Sequence, residues 1–199
     1  MLKVLGRKTS GNVQKVVWLL EELGLPYERE DYGRQFGNTQ DAAYLTLNPN
    51  GKVPTLVDGD AVVWESNSIL RYLSNKNGGK LYPSDPAARS QVERWMDWQL
   101  AALNPFYMAI FRESKKAPEE RSPGLANDAK ELDSQLKILD GALAGKDWVA
   151  GADMTLADIA LGPIVDRCIN FPVELSALPN VKAWVARLRT RPAYQTATG

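Results

Sequence analysis

Histidine is missing from this chain altogether, and with it go imidazole metal sites, Ser-His or Cys-His nucleophile pairs and an imidazole base. Cysteine is nearly missing. Cys168 stands alone, so no intramolecular disulfide can form, and a lone cysteine among helical apolar residues reads as a small buried hydrophobe. No apolar run approaches the roughly 18 residues that a spanning helix needs. Neither sign of charge is in excess, since 24 Lys and Arg balance 24 Asp and Glu, which leaves no overall field to draw nucleic acid or an anionic membrane surface. The start, Met1 to Gly6, is too short and too soon interrupted by Arg7 and Lys8 to read as a signal peptide, so a cytoplasmic location is expected. Whatever chemistry the chain does must come from hydroxyls, carboxylates or a bound cofactor, with no metal.

What is present suffices for a sizeable core: 199 residues, 44% hydrophobic, enough for one large domain or two small ones. Leu2, Val4 and Leu5 read as a short first strand ending at Gly6. Val13, Val16, Val17 and Leu20 recur at helical spacing, and Gly24 with Pro26 supplies a stop. Tyr27 to Asp31 reads as a second strand, so the first thirty residues form a βαβ unit with parallel strands. Gly33 to Thr39 is glycine-rich and polar and is expected to be a mobile loop over a ligand, with a short helix over 40–47.

Residues 48–68, NPNGKVPTLVDGDAVVWESNS, carry the densest signals. Asn50-Gly51 marks a turn, and Val53-Pro54 opens an apolar run at the first-residue position where a strand tolerates proline. Asp58-Gly59 between Thr55–Val57 and Ala61–Trp64 predicts a hairpin with a type I′ turn, which needs positive φ at both central residues. Glu65-Ser66-Asn67-Ser68 then begins a helix continued by Ile69, Leu70 and Leu73. The first-turn N–H groups of such a helix can hold a carboxylate.

From Ala87 onward the signals are helical. Val92, Trp95, Met96, Gln99 and Leu103 share a face until Pro105, where a bend or break is expected; Leu125, Ala129, Leu132, Leu136, Leu139 and Leu143 form a packing stripe. Met154-Thr155-Leu156-Ala157-Asp158-Ile159 combines a Thr cap, a carboxylate three residues on and a hydrophobic staple. A kink is expected at Gly162-Pro163. Val181, Trp184, Val185 and Leu188 make one further helix, and the residues after Arg191-Pro192 are expected to be a loose tail.

In order and spacing, NPNGKVPTLVDGDAVVWESNSILRYL resembles the glutathione-binding half of the cytosolic glutathione S-transferase family, and TLADIAL resembles the capped helix of that family's second domain. The resemblance implies an α/β plus all-α fold: an N-terminal thioredoxin-like βαβ-ββα domain over 1–80, a linker over 81–86 rich in turn formers, and an all-helical domain over 87–199 carrying the pocket for a second substrate. It implies a cis Val53-Pro54 peptide, main-chain pairing of Val53 with the cysteinyl part of glutathione, and Glu65 and Ser66 at the γ-glutamyl end. Lys52 would reach the glycyl carboxylate, although a lysine in a turn is as readily solvated.

The resemblance also places thiol activation between the first strand and the first helix, where neither tyrosine nor cysteine is found, so a serine, threonine or asparagine type as in bacterial members is implied. Ser10 matches the family's active-site position best, then Asn12, then Thr9; read locally, all three are also common capping residues. Moving a thiol from about 8.5 to about 6.5 requires about 2.7 kcal/mol of preference for the anion. A helix N-terminus supplies up to ~2 kcal/mol and a hydrogen bond to a charged acceptor about 1.5 to 3. Asn104, Tyr107, Phe111 and Arg112 fall where the family lines its second-substrate pocket, with interhelix packing an equal reading for Tyr107 and Phe111. The implied activity is glutathione transfer to an electrophilic small molecule in detoxification, or glutathione-dependent disulfide reduction or isomerisation, by a homodimer using glutathione as co-substrate and requiring neither nucleic acid nor membrane. A non-catalytic protein that keeps the scaffold for binding is the alternative.

Overall fold

The computed structural model describes residues 1–199 and divides into two compact units, Met1–Ser84 with Arg189–Gly199, and Asp85–Leu188. The first unit runs β1 (Leu2–Leu5), α1 (Gly11–Leu23), β2 (Tyr27–Glu30), α2 (Ala42–Leu47), β3 (Thr55–Asp58), β4 (Ala61–Trp64) and α3 (Ser66–Lys76). Its sheet has the order β2-β1-β3-β4, with β1 parallel to β2 and antiparallel to β3. The βαβ-ββα arrangement is therefore present.

Local chemistry explains the boundaries. Gly24 closes α1 in the left-handed conformation, its N–H returning to the carbonyls of Leu20 and Glu21. At Gly6 a Cβ would sit 2.5 Å from Val13 Cγ2 and 3.2 Å from Val53 Cβ, so only glycine lets the end of β1, the start of α1 and the Val53 turn close on one another. The hairpin differs by one residue from the expected turn. Asp58 pairs with Ala61, leaving Gly59 and Asp60 as the loop, and of these only Gly59 has positive φ, so the turn is not type I′. Gly33 to Thr39 is also more built than expected. It forms two short 3-10 turns, Arg34–Phe36 and Asn38–Gln40, tied by Asn38, which accepts from the Gly33 N–H at 3.1 Å and donates to the Asp31 carbonyl at 3.1 Å.

The C-terminus is the main correction. Instead of a loose tail of the helical domain, Pro192–Thr198 forms helix α9, which packs on α1 within the first unit. Tyr194 is 1% exposed and meets Trp18 edge to face at 4.8 Å, while Arg191 donates to both Glu22 oxygens at 2.6 and 2.7 Å. The physical reason is α1 itself. Beyond the expected Val13, Val16, Val17 and Leu20, it also buries Trp18 and Leu19, more apolar surface than the sheet side of a helix requires.

The second unit is all helical: α4 (Pro86–Trp98), α5 (Asn104–Glu113), α6 (Leu125–Ala142), α7 (Leu156–Cys168) and α8 (Pro179–Arg189). A π-helical turn, Gln99–Leu103, joins α4 to α5 just before Pro105, where the proline has no N–H for a helical bond. Of the expected stripe along α6, Ala129, Leu132, Leu136, Leu139 and Leu143 are buried, while Leu125 at its start is only half-buried. At α7 the Thr155–Asp158 capping box forms, and Asp158 also accepts from the Val149 N–H and from Trp184 Nε1, each at 3.0 Å. Helix α7 runs through Pro163 without interruption, and its last residue, Cys168, is fully buried, with its thiol pKa raised by desolvation. No helix is long and apolar enough to cross a membrane.

Candidate functional site

The turn before β3 is held from below by a buried polar knot. Tyr44, on α2, donates its hydroxyl to the Lys52 carbonyl at 2.6 Å and meets Thr55 Oγ1 at 2.9 Å. Asn48 Nδ2 donates to the same two oxygens at 2.8 and 3.0 Å, and Asn48 Oδ1 accepts the Asn50 N–H at 3.0 Å. Burial pushes the Tyr44 hydroxyl pKa up, so it stays a protonated donor. These groups grip the residue before Val53, and the Val53-Pro54 peptide is cis. The N–H and C=O of Val53 take no part in the strand pairing or the surrounding turns.

Across from this turn stands the head of α3. Glu65 occupies its N-cap at φ 67 and ψ 118, a conformation that residues bearing a Cβ rarely adopt, and its side chain makes no cap bond to the helix. One Glu65 oxygen accepts from Asn50 Nδ2 at 3.4 Å. Ser66 is 3% exposed and its hydroxyl donates to Asn12 Oδ1 at 3.4 Å, a residue 54 positions away at the start of α1. That contact is at the long limit for a hydrogen bond, so both groups retain capacity for another partner. The first turns of α1 and α3 therefore meet. Each brings outward-facing amides and a partial positive charge.

A cleft of about 70 Å³ lies among Asn12, Asn48, Asn50, Lys52, Val53, Pro54, Glu65 and Ser66. Six of the eight residues expected at the first domain's site thus share one cleft. Ser10 and Thr9 do not line it. Ser10, the N-cap of α1, is 7% exposed and its hydroxyl does not bond the helix amides, while Thr9 is exposed.

Two matching family models decide the kinship: the glutathione S-transferase N-terminal domain over residues 9–76 and the C-terminal domain over residues 103–192. The chain belongs to the glutathione S-transferase family. It is 40% identical over 200 residues to the glutathione S-transferase GstB of Escherichia coli, covering 98% of this chain and 96% of that one. It is 30% identical over 192 residues to the Escherichia coli disulfide-bond oxidoreductase YfcG, covering 92% and 87%. A theta class glutathione S-transferase from Xanthomonas axonopodis pv. citri, solved with glutathione bound, superposes with a TM-score of 0.94 at 39% identity over 99% of this chain and 96% of that one.

Within the helical unit, Tyr107 is buried, stacks on Phe111 at 5.8 Å, lies 5.7 Å from Phe171 and accepts from Arg167 Nη1 at 3.5 Å. Asn104 is half-buried and Arg112 exposed. None of these four lines that unit's large cavity, about 750 Å³, which is bordered instead by Pro118, Arg121, Leu125, Asp133 and Leu175 among others. Reading the sequence alone missed Tyr44, Asn48, Asn50 and Thr55. Asn48 gave a faint signal as an asparagine between two apolar segments, but only the burial of its amide shows its work.

Proposed function

We propose that this protein is a glutathione transferase whose first unit binds glutathione in the Val53–Glu65–Ser66 cleft and activates its sulfur for attack on an electrophilic small molecule. The observation that carries the reading is the meeting of Asn12 with Ser66, which puts the heads of two helices beside the Val53-Pro54 turn and the Glu65 carboxylate. The parts match the ligand group by group. Ser66 and the α3 amides suit the γ-glutamyl carboxylate, Glu65 suits its ammonium, Val53 suits the cysteinyl main chain, and Lys52 suits the glycyl carboxylate. A cleft of about 70 Å³ takes the glutamyl head and leaves the rest of the tripeptide along the surface. The thiol then falls toward the start of α1, where the Ser10 hydroxyl or the Asn12 amide donates to the thiolate. In the transfer step the sulfur lone pair forms a C–S bond as the electrophile's leaving group departs with its electrons, or as its adjacent carbon takes up a proton.

Support for the transferase reading includes the 40% identical relative named as a glutathione S-transferase and the neighbouring structure that holds glutathione. A second reading, glutathione-dependent disulfide reduction, is favoured by the relative named as a disulfide-bond oxidoreductase. Since Cys168 is fully buried, the sulfur in that reaction would be glutathione's own. The family reading also includes Asn104, Tyr107, Phe111 and Arg112 as contributors to the electrophile pocket, a homodimer, a cytoplasmic location and a detoxifying role. The deciding experiment measures glutathione affinity by calorimetry and turnover on a panel of aryl halides, epoxides, maleyl compounds and small disulfides. Conjugation supports transfer, disulfide turnover alone selects the second reading, and binding with no turnover would make the protein a glutathione-binding member. Absence of binding removes the proposal.

A further inference from the structure

The polar knot beneath the Val53 turn has a definite proton order. Tyr44 owns a single hydroxyl proton and gives it to the Lys52 carbonyl at 2.6 Å, so its 2.9 Å contact with Thr55 Oγ1 is Thr55 donating to the Tyr44 oxygen. Asn48 directs its two amide protons to Thr55 Oγ1 at 3.0 Å and to the same Lys52 carbonyl at 2.8 Å. Every side-chain donor in this ring is used, and the ring converges on one main-chain oxygen. Tyr44, Asn48 and Thr55 are all buried, and the Tyr44 ring is stacked on Tyr32 at 5.0 Å, which leaves the ring no room to swing away. Of its members only Asn48 reaches the wall of the cleft. Tyr44 and Thr55 therefore act on the cleft through the backbone.

The oxygen on which they converge belongs to the peptide that carries the Val53 N–H. The Lys52-Val53 peptide is trans, and in a planar trans peptide the C=O and the N–H point in opposite directions. Two donors on the Lys52 carbonyl thus fix the direction of the Val53 N–H, which takes no part in strand pairing or the surrounding turns. They also polarise it, because hydrogen bonds accepted by a carbonyl strengthen the donor at the other end of the same peptide. Resting on the glutathione reading of this cleft, we propose that Tyr44 and Asn48 are positioning residues for glutathione: by gripping the Lys52 carbonyl they aim the Val53 N–H at the cysteinyl main chain of the ligand. A peptide held in place before the ligand arrives has little freedom left to lose on binding. The thiol hangs from the cysteinyl residue, so its place at the head of α1 is set through the same peptide.

The test follows the Val53 amide itself. Its hydrogen exchange, resolved in proton–nitrogen correlation spectra, is measured free and with saturating S-methylglutathione, alongside Kd by calorimetry, on the wild type, Tyr44→Phe and Tyr27→Phe. The last variant is the control, since it also deletes a tyrosine hydroxyl of the first unit, one that bonds Glu21 at 2.8 Å. Thermal unfolding establishes that each variant is folded. In the wild type the ligand should slow Val53 exchange about tenfold or more. Tyr44→Phe should raise the Kd about fivefold or more, and even at saturation its Val53 amide should exchange several-fold faster than in the wild-type complex. Tyr27→Phe should match the wild type in both. Should Tyr44→Phe not fold, Thr55→Val, which opens the ring but spares both bonds to Lys52, should shift both readouts in the same direction. A folded Tyr44→Phe with wild-type Kd, or with Val53 fully protected at saturation, overturns the positioning role, as does equal weakening in Tyr27→Phe. Binding that leaves wild-type Val53 exchange unchanged also overturns it, with the glutathione site intact. If the wild type does not bind S-methylglutathione, the glutathione reading itself fails and this role with it.

Discussion

At the scale of single residues the thiolate donor is the sharpest question, because two candidates stand at the head of one helix and only Asn12 lines the cleft. A group that donates to the thiolate lowers the thiol pKa, so its removal should raise that pKa by about one to two units at about 1.4 kcal/mol per unit. The rate of the responsible variant should fall about tenfold near neutrality and recover well above pH 8.5, where the thiolate forms unaided. Comparing pH–rate profiles of Ser10→Ala and Asn12→Ala identifies the donor; a variant that only misplaces the ligand stays slow at every pH. Glu65→Ala and Ser66→Ala should each weaken glutathione binding by about 1.5 to 3 kcal/mol, with melting temperature little changed, measured by calorimetry against thermal unfolding. Lys15, fully enclosed on α1, carries its own stability signature. Desolvation lowers its folded pKa to about 7, below the unfolded 10.5, so the unfolded chain binds the extra proton between those values and wild-type stability rises with pH there. Relative to Lys15→Met, the wild type should gain about 2 to 3 kcal/mol between pH 7 and pH 9, read from denaturant unfolding at the two pH values.

At the scale of elements, the most heavily specified feature is the start of α7. Asp158 accepts from the Thr155 N–H at 2.9 Å, the Thr155 hydroxyl at 3.3 Å, the Val149 N–H and the Trp184 indole, all buried. One carboxylate thereby joins the helix cap, the preceding loop and α8. Asp158→Asn keeps the size but replaces one acceptor oxygen with a donor, leaving buried N–H groups facing it, and should destabilise the helical unit by about 2 to 4 kcal/mol. Thr155→Ala removes only the hydroxyl and should cost about 1 kcal/mol. Urea unfolding of both variants checks the order, and equal losses would mean the cap alone matters. The site-bearing elements of the first unit follow the same logic. The Tyr44-Asn48-Thr55 knot fixes the turn that presents Val53, so the cleft's geometry depends on side chains that do not reach its mouth.

For the whole molecule, the decisive fact is that the first unit is discontinuous: the chain leaves it at Ser84 and re-enters at Arg189. Deleting residues 190–199 should expose Trp18 and Leu19, remove the Trp18–Tyr194 contact and strand Glu22, lowering the melting temperature and raising Trp18 accessibility to an external quencher. Glu22 adds a pH signature. Burial pushes its pKa up, but hydrogen bonds from Arg191 and Trp18 outweigh that and hold it below the usual carboxylate value. A depressed carboxylate stabilises the fold above the unfolded pKa near 4.5 and loses that contribution as pH falls through the folded value. Acid unfolding should therefore begin at a higher pH in a chain lacking residues 190–199 than in the full chain.

The sequence alone determined the features that depend on neighbours within a few residues: the caps at Gly24 and Thr155, the short strands, the hairpin before Glu65, and the helical irregularity near Pro105. Those are set by backbone sterics and short hydrogen-bonded rings, which a linear reading can follow. It also carried the family pattern, and with it the fold and most of the cleft. Even the local reading slipped by one residue at Gly59, because the register of β3 on β4 is set by which faces are buried. Only the tertiary structure decided that Asn12 meets Ser66, that Lys15 is fully enclosed, that Tyr44 and Asn48 grip the turn before Val53, and that the last helix returns to α1. Those pairings join residues 54 and 169 positions apart in the plainest cases, Asn12 with Ser66 and Glu22 with Arg191. No local propensity specifies them. They arise from how buried faces rotate and close on one another, which is a property of the packed chain.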